Sequence, residues 1–580
     1  MTPRKLQFGL RSQAILFGDG DEAVSPRPAL APATSLSPEQ RFCESIGTDH
    51  RRRFAQFFTP PPVAQLMVEM LDPQPGARLL DPACGPGVLI EQVALKQPDA
   101  RITAIDIDAT ALDCMAASTI RSSVGVPLLV DFLSWDSDAT FDGVIANPPY
   151  LKYQQFDCAP EVYARLSAVA GEPVSKFSNL YLLFLLEAYR RLVPGGRAVF
   201  IVPGEWANAN FGEPFKRFLA REGCLRALIY FSHSQEMFDD AMTTASIVDL
   251  RKPATGQRGS ESFRSLYVHD AASIDSVRDA LRSGLSNDQV GAATFQAQHM
   301  AQEKKWDFLL RHPDALHAST SGWRALGDWC SSRRGIATGA NDYFHLRPSR
   351  AEGLGLQSTN LLPCVGGARH VRGAAFDATD YDALHAADQP CLLWTLKQAP
   401  SATELDYVGV GETRGLPQRY LLSKRRPWYS MERANPAPIW VGVFGRGGLR
   451  VIRNRSGVAQ LTTYHGLTPR NSDPLLADAL VVALHSTIAV KAIERARRVF
   501  GAGLEKVEPA DLLDIHLPDL PRASKAALAR VASCLPPLDA NRRAGGASNA
   551  ALQAQIDSAL DALVANLTEQ DTHQALALQA

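Results

Sequence analysis

The sequence predicts an α/β protein, a doubly wound domain followed by a mixed α+β domain. Three observations predict it. A short apolar run at residues 77–81 is followed by the glycine turn Pro82-Ala83-Cys84-Gly85-Pro86-Gly87 and a helical pattern at 88–95, the strand, turn and helix that open a βαβ unit. Strand-like and helix-like segments then alternate to about residue 252, which favours a parallel sheet covered by helices on both faces. From about residue 326 the pattern changes to short apolar segments between glycine and proline turns.

Taken in order, residues 1–50 carry prolines, serines and alanines without a period and read as a partly ordered N-terminal extension. The first domain is expected over 51–252. Residues 101–105 form its second strand, which ends in Asp106 and Asp108, and the apolar run 141–146 forms another. A helix at 180–192, the turn Pro194-Gly195-Gly196, a strand at 198–202, a helix at 214–222 and strands near 227–230 and 245–250 complete the alternation. Pro253, Gly256 and Gly259 mark a boundary, so 253–325 is expected to be a linker and helical connection, with helices at 271–285 and 298–310. The mixed domain follows at 326–520, and a C-terminal helical region at 521–580 carries apolar periods at 523–534 and 549–567.

With 580 residues the chain exceeds the size at which a single core stops growing. Its 60 basic and 61 acidic side chains give a net charge of −1, which excludes a grip on nucleic acid by overall charge and leaves that task to a local cleft. The nine cysteines lack paired metal-ligand spacing, and no metal site is expected. Neither a signal peptide nor a membrane-length apolar run is visible, so the reading is a reduced, cytoplasmic protein with no membrane partner.

The chemistry concentrates in Asn147-Pro148-Pro149-Tyr150, directly after the run 141–146. Each proline fixes φ near about −65° and removes an N–H, so the carbonyls of Asn147 and Pro148 have no ladder to rejoin and point outward as acceptors. An amine on an aromatic ring is a weak nucleophile because its lone pair is delocalised. Two acceptors that take its hydrogens favour the geometry in which that pair faces a methyl donor, and Tyr150 would stack on the ring. The plainer reading is a proline turn that closes a strand.

The glycine turn points to the donor. It is not the dinucleotide fingerprint, since Pro86 removes an amide that would cradle pyrophosphate and the third glycine is missing. Asp106 is the natural acceptor for a ribose diol, and Asp131 can pair with an adenine amino group while Phe132 and Leu133 cover the ring. Acidic residues at the ends of successive strands, with Asn147 on a fourth, converge on one sheet edge. The ligand implied is a sulfonium that carries adenosine, S-adenosylmethionine.

In these motifs the chain resembles the TaqI-like, gamma-type adenine-N6 DNA methyltransferases of restriction-modification systems, in which a Rossmann-like methyltransferase domain precedes a target-recognition domain. Phe54-Ala55-Gln56-Phe57-Phe58-Thr59-Pro60 resembles the segment that touches the methionine part of the cofactor, which would assign Phe58, Thr59 and Pro60 to it. Residues 81–87 resemble the glycine turn, with Asp81 near the cofactor's amino group and Ala83, Gly85 and Gly87 around it. Asp106 falls where the family has its ribose carboxylate, and Asp131 and Phe132 where it has its adenine contacts. Asn147, Pro148 and Tyr150 match the catalytic tetrapeptide, Asn147 also reaching the cofactor. Lys176 resembles a family lysine near the site. Phe238, in Gln235-Glu236-Met237-Phe238, resembles the ring that sandwiches the flipped adenine against Tyr150.

The resemblance is specific over about 51–252 and thinner afterwards, although Lys424-Arg425-Arg426-Pro427-Trp428-Tyr429 and Tyr464-His465-Gly466-Leu467 also resemble pieces of the recognition half. It implies methylation of adenine N6 in double-stranded DNA after the base has rotated out of the helix, with a separately encoded restriction endonuclease acting on the same site.

The strongest local nucleic-acid signal lies at 424–455, where Lys424, Arg425, Arg426, Arg433, Arg446, Arg450, Arg453 and Arg455 face only Glu432 and are interleaved with Trp428, Tyr429, Trp440 and Phe444. Lys424, Arg425, Arg426, Arg446, Arg450 and Arg453 are the candidate DNA contacts. Four other readings stand beside this one. The tetrapeptide would also serve an RNA-base or protein-glutamine methyltransferase, or a cytosine-N4 enzyme, for which serine in place of Asn147 would be expected. A catalytically inert DNA-binding protein and a fused nuclease are the others, and the residues before Arg51 leave little room for a nuclease domain.

Overall fold

The computed structural model describes residues 59–579, together with Phe42 and Ile46, apart from 117–124, 126, 233–243, 270–271, 314–322, 433–434, 446–448, 501–503 and 547–548. The chain forms two compact units, 1–316 and 317–580.

The first unit begins its described part with α1 (Pro61–Leu71), whose prolines sit in the first turn, where an N–H would have no intrahelical acceptor. It continues with β1 (Arg78–Asp81), α2 (Val88–Lys96), β2 (Arg101–Asp106), α3 (Ala109–Ala116), β3 (Leu128–Leu129), β4 (Phe141–Ala146), α4 (Pro160–Ala170), α5 (Leu180–Arg190), β5 (Leu192–Pro203), α6 (Glu213–Glu222), β6 (Leu225–Phe231), β7 (Ala245–Arg251), β8 (Ser262–Val268), α7 (Ile274–Ser283) and β9 (Val290–Gln296). One sheet holds all nine strands in the order β3-β2-β1-β4-β5-β7-β6-β8-β9. Strands β1 to β5 are parallel, and β7 runs antiparallel between β5 and β6. The strand order reverses between the neighbours β1 and β4. Open α/β sheets bind ligands at such a switch point, outside the carboxyl ends of the strands, and here those ends carry Asp81 and Asn147.

Because the central strands are covered on both sides, they read as continuous apolar runs, with alternate residues entering different cores. Leu80, Val144 and Phe200 join one cluster with α5, while Leu79, Ile145 and Val199 join another with α1 and α2. Every residue of α5 from Leu180 to Tyr189 is buried, the mark of a helix packed on all sides. Its single carboxylate, Glu187, accepts from Arg165, Arg190 and Arg191.

Two expected boundaries are corrected. Residues 253–311 are not a linker, because β8 pairs parallel with β6 and β9 antiparallel with β8, extending the same sheet. Gly259 marks a close backbone approach instead of a hinge, since a Cβ there would lie 2.0 Å from the Glu222 carbonyl oxygen. The helix expected at 298–310 is two short helices, Ala297–Gln302 and Asp307–Arg311. Between them Lys305 Nζ donates to the Asn208 carbonyl.

The second unit contains a five-stranded sheet in the order Cys330–Arg334, Tyr464–Pro469, Ile439–Gly442, Val451–Asn454, Ala375–Phe376, besides smaller sheets. Ile439, Val441, Val451 and Leu467 from this sheet share one core with Leu480 of the helix Pro474–Ala483 and with Ile556, Leu560 and Leu563 of the helix Ala550–Gln579. The helical region 521–580 therefore contributes part of that core. Among the described residues no single helix is long and apolar enough to cross a membrane.

Candidate active site

Strand β1 delivers Asp81 into the interior, fully buried. The Ala83 N–H donates to its Oδ1 at 3.2 Å, while Oδ2 has no hydrogen-bond partner. Burial pushes this carboxyl up to about 8, against the lowering effect of the Ala83 bond and with a further push from Asp106. A buried carboxylate oxygen left unpaired is costly, and a ligand's ammonium group would satisfy it.

The turn after Asp81 puts Gly85 at φ +51° and Gly87 at φ +100°, conformations glycine adopts without strain. At Gly87 space is short as well, since a Cβ would lie 2.8 Å from Met115 Cγ. The turn is tied to the end of β2. Cys84 N–H donates to the Ile105 carbonyl at 3.0 Å, Gly85 N–H donates to Asp106 Oδ2 at 2.8 Å, and Asp108 N–H donates to Asp106 Oδ1 at 2.9 Å. Burial raises the Asp106 carboxyl above the usual range despite these bonds.

Asp131 caps the short turn Phe132–Ser134, accepting from Leu133 N–H at 3.1 Å and from Ser134 Oγ at 2.8 Å. The Phe132 ring is buried. It packs 5.2 Å from Phe184 of α5 and beneath the Arg191 guanidinium, a core partner of the buried helix.

On the acceptor side, Asn147 Nδ2 donates to Thr59 Oγ1 at 3.0 Å. This joins the tetrapeptide to a residue two positions before α1, 88 positions earlier, and fixes the plane of the amide. Pro148 is buried behind it, and Tyr150 OH donates to the Ile201 carbonyl at the end of β5 at 3.4 Å. Burial raises the Tyr150 phenol above its ordinary value, keeping it neutral.

The side chains that back this ring escaped the sequence reading. Tyr181, buried in the first turn of α5, meets Tyr150 edge to face at 6.4 Å and is itself met by Phe211 at 6.5 Å. Leu180 N–H donates to the Leu151 carbonyl at 3.0 Å, and Asn179 Nδ2 donates to Glu205 Oε1 at 2.5 Å, so the start of α5 is fixed both to the tetrapeptide loop and to the turn after β5. A tyrosine in the first turn of a largely apolar helix was the available signal. Lys176 is exposed. Phe58 and Phe238 lie outside the described residues.

In the second unit the cationic stretch divides. Arg425 donates to the carbonyls of Ala337 at 2.5 Å and Thr338 at 3.2 Å, and burial lowers its pKa from the usual guanidinium value. Arg453 is buried, pairs with Asp478 at 2.7 Å and donates to the Pro438 and Asn454 carbonyls. Arg450 donates to the carbonyls of Ala368 and Val371. These three are engaged within the unit, where the guanidinium fork that suits phosphate suits paired carbonyls equally, and Arg426 likewise donates to the Ser423 and Arg425 carbonyls. Lys424 and Arg426 are exposed, and Arg446 lies outside the described residues. Trp440 and Tyr464 belong to the core.

A switch-point sheet with an acidic glycine turn on β1 and an Asn-Pro-Pro-Tyr edge on β4 is the arrangement the motifs predict for a methyltransferase. Comparison with known proteins gives the family. Residues 101–238 match the Eco57I restriction-modification methylase family, and residues 308–554 match the C-terminal domain of the Type II methyltransferase M.Eco57I. The chain is 31% identical to Type II methyltransferase M.AccI of Acinetobacter calcoaceticus, over 83% of this chain and 89% of the relative. It is 25% identical to Type II methyltransferase M.XamI of Xanthomonas campestris pv. amaranthicola, over 81% and 86%.

The chain belongs to the Type II restriction-modification methyltransferases. Its fold is similar to that of a nuclease-deletion mutant of the Type ISP restriction-modification enzyme LlaGI, solved in complex with a DNA substrate mimic, with a TM-score of 0.51, 12% identity and coverage of 82% of this chain and 46% of that one. The family expected from the motifs is thus met at the level of restriction-modification methyltransferases, and the Eco57I type is the one matched.

Proposed function

We propose that the protein transfers a methyl group from S-adenosylmethionine to N6 of adenine within a defined sequence of double-stranded DNA, and so protects that sequence from a separately encoded restriction endonuclease. The observation that carries this reading is the Asn147–Tyr150 edge at the carboxyl end of β4, its amide held by Thr59, one strand away from the unpaired buried oxygen of Asp81. Membership of the restriction-modification methyltransferases supports DNA as the substrate, and asparagine in place of serine at position 147 supports adenine over cytosine N4.

The residues present fit the cofactor. Asp81 would receive its ammonium, Gly85 and Gly87 give close backbone approach, Asp106 would accept from the ribose hydroxyls, and the Asp131 edge would meet the adenine amino group. When bound, S-adenosylmethionine supplies a methyl group made electrophilic by its sulfonium leaving group.

The base must leave the duplex, because its amine is otherwise hydrogen-bonded to thymine. Tyr150 then stacks on it and offsets part of the lost stacking. Asn147 Oδ1 and the Pro148 carbonyl accept the two amine hydrogens, turn the lone pair out of conjugation and hold the positive charge that develops on nitrogen. The extra proton then leaves readily to water, so neither Asp81 nor Asp106 is required as a base.

The direct test offers the protein labelled S-adenosylmethionine with DNA, RNA and protein together. N6-methyladenine in the DNA digest is expected. Label in RNA, in protein glutamine or as N4-methylcytosine would overturn the reading.

A further inference from the structure

Two exposed rings stand beside the catalytic tetrapeptide. Tyr153 follows Tyr150 by three residues and is 38% exposed, and Phe177, shortly before α5, is 65% exposed. Their centroids lie 5.1 Å apart at 88°, edge to face. Both are carried on ordered turns: Gln154 Nε2 donates to Tyr153 OH at 2.9 Å, Phe177 N–H donates to Ser175 Oγ at 3.1 Å, and the Leu180–Leu151 backbone bond holds the two loops side by side. Lys152 and Lys176, each next to one ring in sequence, are exposed too. The rings therefore form an apolar lip flanked by cations, fixed to the loop that carries Tyr150.

An exposed apolar patch of this kind marks an interaction site, and the combination with lysine narrows the partner. When a base leaves a duplex, the faces of its neighbours are unstacked within a few ångströms of phosphates. Aromatic rings beside cations are the groups that take up such faces. Resting on the functional reading above, we propose that Tyr153 and Phe177 pack against the opened duplex next to the extruded base, with Lys152 and Lys176 on adjacent phosphates. The lip stabilises the open state and leaves methyl transfer itself to Asn147 and Pro148.

The test uses the full chain and a duplex that carries its own methylation site, with 2-aminopurine at the target position as the probe of extrusion. Relative to the parent, a Tyr153→Ala, Phe177→Ala double variant is expected to lose most of the 2-aminopurine fluorescence gain and at least about tenfold in single-turnover methylation of paired DNA. Cofactor affinity should be unchanged and Phe177→Tyr should stay close to the parent. On a duplex with an abasic site opposite the target adenine, where opening is already favoured, the defect should largely vanish. A Lys152→Ala, Lys176→Ala variant should flatten the salt dependence of DNA binding by about two phosphate contacts.

Parental extrusion and rate in the double aromatic variant would overturn the lip, as would an equal loss on paired and abasic duplexes. A parent protein that methylates no DNA would sink the functional reading instead, so the two failures are distinct.

Discussion

The Asn147–Tyr150 edge and the cationic stretch 424–455 were both read from residue types at short spacing, and the fold treats them differently. At the first, two prolines dictate the backbone, and the switch point places that backbone beside Asp81. At the second, the side chains were to act at the surface, yet Arg425, Arg450 and Arg453 turn inward onto backbone carbonyls. A motif that works through its backbone is committed by local sterics. A long cationic side chain can end on a phosphate or on a neighbouring loop, and tertiary packing decides which.

The contrast is tested most severely at Asn147. Asn147→Ala should lower single-turnover methyl transfer by at least about a hundredfold while cofactor binding, measured by calorimetry, stays nearly intact. Transfer at the parental rate would show that the backbone carbonyl alone suffices. The cationic stretch offers the next largest effect. Arg425→Ala should destabilise the protein by about 1.5–3 kcal/mol in thermal or denaturant unfolding, because it leaves the Ala337 and Thr338 carbonyls short of a charged donor. Lys424→Ala with Arg426→Ala should leave the melting temperature within a degree or two and reduce the salt slope of DNA binding by up to about two contacts. A reversal of these outcomes would return Arg425 to the DNA.

A smaller change probes the ring behind the ring. Tyr181→Leu should lower the methylation rate constant by about tenfold through loss of the edge that steadies Tyr150, with cofactor affinity unchanged, and Tyr181→Phe should restore it. Equal defects in both variants would locate the effect in the hydroxyl instead.

The mildest prediction is a pH dependence. The folded Asp81 carboxyl sits at about 8 against an ordinary 3.8, so between those values the folded state holds a proton that the unfolded chain has released. The ligand-free protein should lose stability from this group as pH rises through that window. A cationic ligand pairs with the ionised form, so cofactor affinity should instead rise with pH up to about 8, with proton release on binding. Calorimetry in buffers of different ionisation enthalpy measures that release, and Asp81→Asn should abolish it.

What the sequence disclosed follows the same division. The strand, glycine turn and helix at Arg78–Lys96 and the end of β4 at Ala146 were legible because hydrophobic period, glycine and proline act over a few residues. The boundary at residue 252 misled because Pro253, Gly256 and Gly259 look like linker residues, whereas the pairing of β8 with β6 is a non-local event that no local signal records. The packing of Phe132 and Tyr181 was not legible for a related reason. Both owe their positions to α5, a helix buried on every side whose neighbours its own sequence does not specify.

The hydrogen bond from Asn147 to Thr59 has one more consequence. Thr59 belongs to the segment whose resemblance puts it against the methyl donor, and its hydroxyl accepts from the amide meant for the acceptor. On the proposed reading, a displacement of one would be passed to the other across a single 3.0 Å contact. The two substrates should therefore sense each other before any chemistry occurs. Donor occupancy should tighten the hold on the extruded base, and by thermodynamic reciprocity the base should tighten the hold on the donor by the same factor.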